Sequence, residues 1–377
     1  YEIMPSLVGS EMCIRDSITG IRRCGKSTLL RQLMSRKYDQ ALYLNFEDIR
    51  LANFDADDFT RLLREIERRG IRVLFFDEIQ IIPKWEIFIH QMLNAEYTIF
   101  ISGSNASLLS RELGTHLTGR HIPMELFPFS YSEFLSFRNL PAGEDSLSAY
   151  LHDGGIPEYV KYHAEIILNT LIDDILIRDI AIRNSIKDVN SLRALAVYLL
   201  SNVGNLVSAG KLTGMFDIKA TSTFLDYFSF YQSSYLLEFV PIFNYSLKVQ
   251  ARNPKKVYAM DLGLVNEAAA NFSDATGHKL ENLIFLHLRR QPGSICYYKD
   301  KGECDFIVSE KGKVCRAVQV CHQITELNFT REYNGLLEAM KALNLTEGVI
   351  VTTNQADRFE EDGKTIRMIP ASEFLLG

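Results

Sequence analysis

The sequence is short of the features that would place a chain in a membrane or outside the cell. No apolar run approaches the roughly 18 to 20 residues that a membrane span requires. The first residues show no basic start leading into an apolar segment, so no secretion leader is expected. Six cysteines in 377 residues follow no regular spacing and form no C-x-x-C pair. That argues against a disulfide framework and for a reducing cytoplasm. There is no internal repeat and no low-complexity tract. The net charge of −6 excludes a chain that is basic throughout, though not a local nucleic-acid-binding face. What remains, 47% apolar and 23% charged residues, is an ordinary soluble composition with room for two or three domains.

From residue 18 to about 137 the pattern alternates. The β-rich runs "ALYLNF" (41–46), "IRVLFFDE" (71–78), "YTIFISGS" (97–104) and "HIPMELF" (121–127) are separated by helical stretches such as "DADDFTRLLREIERRG". Strands alternating with helices predict an α/β domain with a parallel sheet covered on both faces.

Within that region lies "GIRRCGKS", residues 20–27, which has the form G-x-x-x-x-G-K-S. Each part has a physical task. Gly20 and Gly25 permit the tight backbone whose N–H groups cradle phosphates. Lys26 brings a cation to the β- and γ-phosphates, and the Ser27 hydroxyl suits Mg2+. The helix beginning there adds its positive N-terminal end. Arg22, Arg23 and Thr28, within or beside the loop, complete the candidate ATP contacts. The apolar run that ends in Asp77-Glu78 is the expected second half of such a site. Asp77 would hold the magnesium, and Glu78 would polarise the attacking water. Ser104 and Asn105 follow the next strand, where a polar side chain senses the γ-phosphate or simply caps a helix. Arg120 precedes another strand, where it would reach a neighbouring subunit's nucleotide in a homo-oligomer or lie on the surface.

The stretches "GIRRCGKSTLL", "LFFDEIQ", "ISGSNASLLS", "LTGRHIPMELFPFSYSEFL" and "YLHDGGIPEYV" together resemble a widespread group of uncharacterised prokaryotic ATPases. Those proteins carry an AAA+ ATPase domain followed by a C-terminal domain of unknown function. The resemblance covers about residues 18 to 377 and implies an AAA+ core with Lys26, Asp77 and Glu78 in the roles above. It also places Arg120 where AAA+ proteins carry the arginine finger.

The boundaries expected are an ATPase domain over 18–137, a helical linker or lid over 138–190, a winged-helix-like domain over 191–262 and an α/β domain over 263–377. The winged helix rests on a helix over "SLRALAVYLLSNVG", an amphipathic helix opened by Lys219, Thr221 and Ser222, and a hairpin turning at Asn253-Pro254. Between Phe239 and Met260 no residue is acidic, while Lys248, Arg252, Lys255 and Lys256 cluster. Such a wing would meet DNA phosphates. Residues 156–260 hold eleven Lys or Arg against nine Asp or Glu, so non-specific affinity is expected to be modest and salt-sensitive. A module that binds a protein partner instead fits the same pattern.

The order helix (276–290), strands near 295–308, strand 315–321, helix, strand is similar to the restriction-endonuclease-like core of PD-(D/E)XK nucleases. That chemistry needs a carboxylate on one strand, then Glu-x-Lys on the next, to bind magnesium and orient a water. Asp305 suits the first carboxylate, with Glu303 on the same strand face and Glu281 on the preceding helix. The third element reads Gln319-Val-Cys321, in which Gln319 offers only a neutral carbonyl to a metal and no lysine follows. Lys299, Lys301 and Lys313 are nearby, with nothing in the spacing to prefer one. The expectation is a nuclease fold with a degraded site; an active nuclease is the alternative. Cys296, Cys304, Cys315, Cys321 and His322 share these strands, where buried cysteines acting as small hydrophobes are expected over a zinc site.

The N-terminal stretch "YEIMPSLVGSEMCIRDS" does not suit the strand that should precede a phosphate loop, since a doubly covered strand is near-continuously apolar. It is similar to a translated sequencing-adapter read-through, which makes residues 1–17 a segment expected to be non-native; a divergent arm is the alternative. The function expected is an ATPase that couples its nucleotide state to a DNA-binding, nuclease-like module. A regulatory switch on a protein partner and an active ATP-dependent nuclease are its competitors.

Overall fold

The computed structural model describes residues 16–105, 122–268 and 276–377. It divides into two compact units, one formed by Tyr1–Leu126 with Ser233–Tyr235 and the other by Phe127–Gln232 with Leu236–Gly377. No helix among the described residues is long and apolar enough to cross a membrane.

The first unit is a five-stranded parallel sheet. Its strands are β1 (Asp16–Thr19), β2 (Ala41–Asn45), β3 (Val73–Asp77), β4 (Thr98–Gly103) and β5 (Ile122–Glu125), in the spatial order β2-β3-β4-β1-β5. Alternation sets the two faces. Leu74 and Phe76 point into one cluster, filled by Phe59 and Ile66 of helix α2 (Asp58–Arg69) and by Trp85, Phe88, Ile89 and Met92 of α3 (Trp85–Asn94). Phe75 points the other way, stacked on Phe100 at 4.6 Å and covered by Leu30 and Leu33 of α1 (Lys26–Lys37). The outer face of α2 carries Glu65 paired with Arg68 and Arg69 one turn on, so its polar side is solvated. β1 begins two residues earlier than the apolar pattern suggests, because Asp16 and Ser17 continue the pairing with β4 and β5. Backbone hydrogen bonding is indifferent to side-chain polarity, so the strand extends past the apolar run.

The second unit starts with α4 (Tyr131–Arg138), α5 (Glu144–Asp153), α6 (Pro157–Tyr162) and α7 (Ile166–Asp174), which runs into a π-helical turn over Ile175–Ile182. Helix α8 (Val189–Leu200), β6 (Leu206–Val207), α9 (Ala209–Leu212), α10 (Thr221–Ser233) and β7 (Leu237–Val240) follow. Next come α11 (Leu247–Arg252) and β8 (Lys255–Ala259). The three strands form an antiparallel sheet in the order β6-β8-β7. The expected hairpin differs in one respect: "LKVQAR" is a short helix between the strands, and only the residues beyond it pair. None of its six residues is buried, so no sheet face selects the extended form.

After α12 (Leu262–Ala268) and α13 (Thr276–Arg289), a six-stranded mixed sheet closes the chain. Strands β9 (Ser294–Lys299), β10 (Glu303–Glu310) and β11 (Lys313–Val320) are antiparallel. β11 pairs in parallel with β12 (Glu347–Thr352), which pairs in parallel with β14 (Lys364–Pro370), and β13 (Asp357–Glu361) is the antiparallel edge. Helix α14 (Glu326–Ala342) packs Tyr333, Leu336, Leu337 and Met340 onto one face. On the other side Phe285 of α13 stacks on Tyr258 of β8 at 4.5 Å, with Phe306 of β10 at 5.6 Å from Tyr258. Asn282 of α13 exchanges two hydrogen bonds with the Ala259 backbone, at 2.7 and 3.0 Å. These contacts tie β8 to the six-stranded sheet, so residues expected in separate 191–262 and 263–377 domains share one core.

Candidate functional site

The parallel sheet delivers three charged side chains to the carboxyl ends of its strands. Gly20 adopts φ +143°, and a Cβ there would stand 2.1 Å from the Leu126 carbonyl oxygen, so no other residue fits that turn. Gly25, at φ +109°, starts α1. Lys26 is its first residue and is only 4% exposed. Its Nζ donates to the carbonyls of Gly20 and Ile21, each at 3.1 Å, and lies 3.9 Å from Glu78 Oε1. Ser27 is in the first helical turn and half-buried, and Thr28 is exposed. Arg22 pairs with Glu47 at 3.0 Å, and Arg23 takes a positive φ of 63° within the loop.

Asp77 ends β3 fully buried. Its Oδ2 accepts a 2.6 Å hydrogen bond from the Tyr43 hydroxyl, and its Oδ1 accepts one from Ser102. Glu78 turns the chain at φ 55°. Its Oε2 accepts from Gln80 Nε2 at 2.5 Å and from the Ser104 backbone N–H at 3.3 Å. Burial pushes the Glu78 carboxyl above the ordinary range; the Lys26 cation works against that rise. Burial and Asp77 also raise the Tyr43 hydroxyl, which stays protonated and donates. Ser104 and Asn105 are buried beside these groups. Tyr43, Ser102 and Gln80 are not among the site residues expected from the sequence: Tyr43 and Ser102 reach Asp77 from the neighbouring strands β2 and β4, which no local motif marks, and Gln80 reaches Glu78 from the turn just after it. Arg120 lies outside the described residues. The residues present suit a magnesium–nucleotide complex: a glycine turn that excludes a Cβ, a helix N-terminus, one lysine, one hydroxyl and two carboxylates.

A second constellation lies in the second unit, lining a cavity of about 940 Å³. Glu281, Glu303 and Asp305 come together there, but at their centre stands Lys256, 3% exposed. Its Nζ is 2.7 Å from Asp305 Oδ1, 3.0 Å from Glu281 Oε1 and 3.1 Å from Glu303 Oε1. Lys256, expected to face DNA, is therefore turned away from it: the pleat of β8 points it inward, the opposite way from Lys255. Burial opposes its charge, but the three carboxylates prevail and hold its pKa well above the usual lysine range. Burial, then repulsion from Glu281, pushes the Asp305 carboxyl up to about 7.

Gln319 does not turn its carbonyl toward a metal. Its Oε1 accepts the Asp305 backbone N–H at 3.1 Å, and its Nε2 donates to Glu332 at 2.6 Å. Lys299 pairs with Glu303 at 3.1 Å, Lys301 lines the cavity, and Lys313 begins β11. Cys304 is buried and donates to the Val318 carbonyl, whereas Cys315 is exposed. Among the described residues no group of three His, Cys, Asp or Glu side chains stands ready to hold a metal ion. Of the other residues expected to meet DNA, Lys219, Thr221, Ser222, Lys248 and Arg252 are exposed, and Lys255 is half-buried. Thr221 shares a 2.9 Å hydrogen bond with Thr213 at the start of α10.

The chain matches a family described as an AAA domain over residues 16–135 and a domain of unknown function (DUF8612) over residues 144–276. It is 32% identical over 354 residues to the uncharacterized protein MJ1544 of Methanocaldococcus jannaschii, covering 87% of this chain and 79% of that one. It is 30% identical over 381 residues to an uncharacterized protein of Haemophilus influenzae, covering 95% of this chain and 93% of that one. Among solved structures, the Thermotoga maritima RuvB Holliday junction branch migration motor aligns at a TM-score of 0.32 and 17% identity, over 60% of this chain and 82% of that one. A mutant form of that RuvB aligns at the same score and identity.

Proposed function

This chain belongs to the same family as those archaeal and bacterial relatives, with an AAA domain at its N-terminal end, and from that premise we propose that it hydrolyses ATP and couples the nucleotide state to DNA held by its second unit. The observation that carries the ATPase reading is the buried trio of Lys26, Asp77 and Glu78 gathered at the strand ends behind a glycine turn. On nucleotide binding, Lys26 exchanges its two loop carbonyls for β- and γ-phosphate oxygens, while the backbone N–H groups between Gly20 and Thr28 cradle the phosphates. Arg22 and Arg23 flank them. Ser27 and Asp77 would hold magnesium, which would neutralise phosphate charge. Glu78 takes a proton from the attacking water. Ser104 and Asn105 sense the γ-phosphate, and Arg120 of a neighbouring copy stabilises the charge that develops there.

The DNA reading rests on order and exposure. Helix, strand, two helices and two further strands, with the sheet in the order β6-β8-β7, follow the plan of a winged helix. Thr221 and Ser222 open its third helix just after Lys219, Lys248 and Arg252 belong to the connection between its last strands, and Lys255 begins the last strand. A second reading, a protein partner, is favoured by one observation: Tyr245 and Leu247 on the same connection are 89% and 78% exposed.

Lys26→Ala is expected to lower ATP turnover at least a thousandfold in a coupled assay, while salt-sensitive binding of fluorescent duplex DNA persists. Turnover near wild type in that variant would remove the ATPase assignment. Wild-type protein without salt-dependent DNA binding would move the second unit to the protein-partner reading.

A further inference from the structure

A restriction-endonuclease-like order of elements implies a divalent metal among its carboxylates. The residues present do not fit one. Asp305 and Glu303 leave the same face of β10, and Glu281 arrives from α13. Their converging oxygens surround the Lys256 ammonium at 2.7 to 3.1 Å. An ammonium has three N–H donors, and the three carboxylates take one each. No donor is left over for a phosphate or an attacking water, which is what a nucleolytic lysine must supply.

The carboxylate oxygens turned away from Lys256 are engaged as well. Asp305 Oδ2 accepts the Val320 backbone N–H at 2.9 Å. Glu303 Oε2 faces Lys299 at 3.1 Å, and Glu281 Oε2 faces His278 at 3.8 Å. Glu281 Oε1, besides Lys256, accepts the Tyr258 hydroxyl at 2.6 Å. The fourth position that could serve a metal, Gln319, has both ends occupied by the Asp305 N–H and Glu332. All six carboxylate oxygens thus have a protein partner, and the focus of the cluster already holds a positive charge.

We propose that the Lys256 ammonium is the resident cation of this cluster, standing in the place of a divalent metal, so that the cavity is metal-free and does not hydrolyse phosphodiesters. The three lysine–oxygen distances exceed calcium–oxygen distances of about 2.3–2.6 Å by only a few tenths of an ångström. The cluster is therefore close to a divalent-cation cage from which the cation has been replaced by a side chain. This inference is independent of the ATPase reading, since it concerns residues of the second unit alone.

The test uses the full-length chain without nucleotide, with Mn2+ as the probe. Binding is followed by electron paramagnetic resonance, and melting temperature is measured in EDTA, in Mn2+ and in Ca2+. Wild type is expected to bind no Mn2+ that Asp305→Asn removes, and to melt at the same temperature in EDTA and in millimolar Mn2+. Lys256→Ala is expected to melt lower in EDTA, to recover in Mn2+ or Ca2+, and to bind one more equivalent of Mn2+, at least tenfold tighter than wild type. Adding Asp305→Asn to Lys256→Ala is expected to abolish that gain.

A wild-type Mn2+ site that disappears in Asp305→Asn would overturn the proposal, as would Mg2+- or Mn2+-dependent DNA cleavage by wild type that is lost in Asp305→Ala. So would a folded Lys256→Ala chain that gains no Mn2+ affinity. If the substituted chains do not fold, wild type still decides. An EDTA-insensitive melt without a tight Mn2+ equivalent supports a resident ammonium, and a tight equivalent that raises the melting temperature and persists in Asp77→Asn, which removes the carboxylate of the first unit, overturns it.

Discussion

Glu78 shows how strongly one environment controls one residue. Its carboxyl is buried, accepts from Gln80, and sits with its other oxygen 3.9 Å from Lys26. Burial raises its pKa above 4.5, with the Lys26 cation opposing. In the general-base role proposed for Glu78 only the carboxylate works, so turnover is expected to be lost as pH falls through that raised value and retained above it. The acid limb of kcat against pH is therefore expected above pH 4.5, and Glu78→Gln should lower kcat at least a hundredfold while leaving ATP binding in place. An acid limb at or below the ordinary carboxylate value would contradict the buried geometry. The motif itself was legible: Gly20, Gly25, Lys26, Asp77 and Glu78 stand where the loop and strand-end patterns put them. The partners Tyr43 and Ser102 were not legible, because a hydrogen bond from β2 or β4 to β3 depends on strand register, which no single segment encodes.

At the scale of the element, β1 carries the tension visible in its sequence. Ser17 is 2% exposed, and its hydroxyl has no hydrogen-bond partner among the described residues. An unsatisfied buried hydroxyl costs about 1–3 kcal/mol, so Ser17→Ala is expected to stabilise the chain by about 1 kcal/mol, seen as a higher midpoint in urea. A neutral or destabilising result would mean the hydroxyl has a partner. β3 and α2 were readable directly, the first from its apolar run and the second from its periodic Phe59 and Ile66 with charges opposite. The short helix α11 was not, because a few solvated residues have little intrinsic preference and the turn residues after them pointed to a hairpin.

For the whole molecule, the basic residues of the second unit divide by exposure. Lys248 and Arg252 face solvent, whereas Lys256, two positions beyond Pro254, is enclosed by carboxylates. Only solvent-facing cations release counterions on meeting DNA. The double variant Lys248→Ala, Arg252→Ala is expected to weaken duplex binding and to reduce the slope of log affinity against log salt by about two. The measurement is fluorescence anisotropy across a potassium chloride series. An unchanged slope would place the DNA elsewhere on the molecule.

The sequence by itself determined the phosphate loop, its acidic strand end and the alternation that makes a parallel sheet. All of these are local, because spacing along one strand or helix specifies which face a side chain takes. Only the tertiary structure decided what Lys256 is. In sequence it belongs to a basic, acid-free stretch beside a turn, with the carboxylates it meets lying well along the chain on α13 and β10. Packing of β8 against α13 brings them to one point, and at that point burial strengthens each ion pair until lysine and carboxylates hold one another.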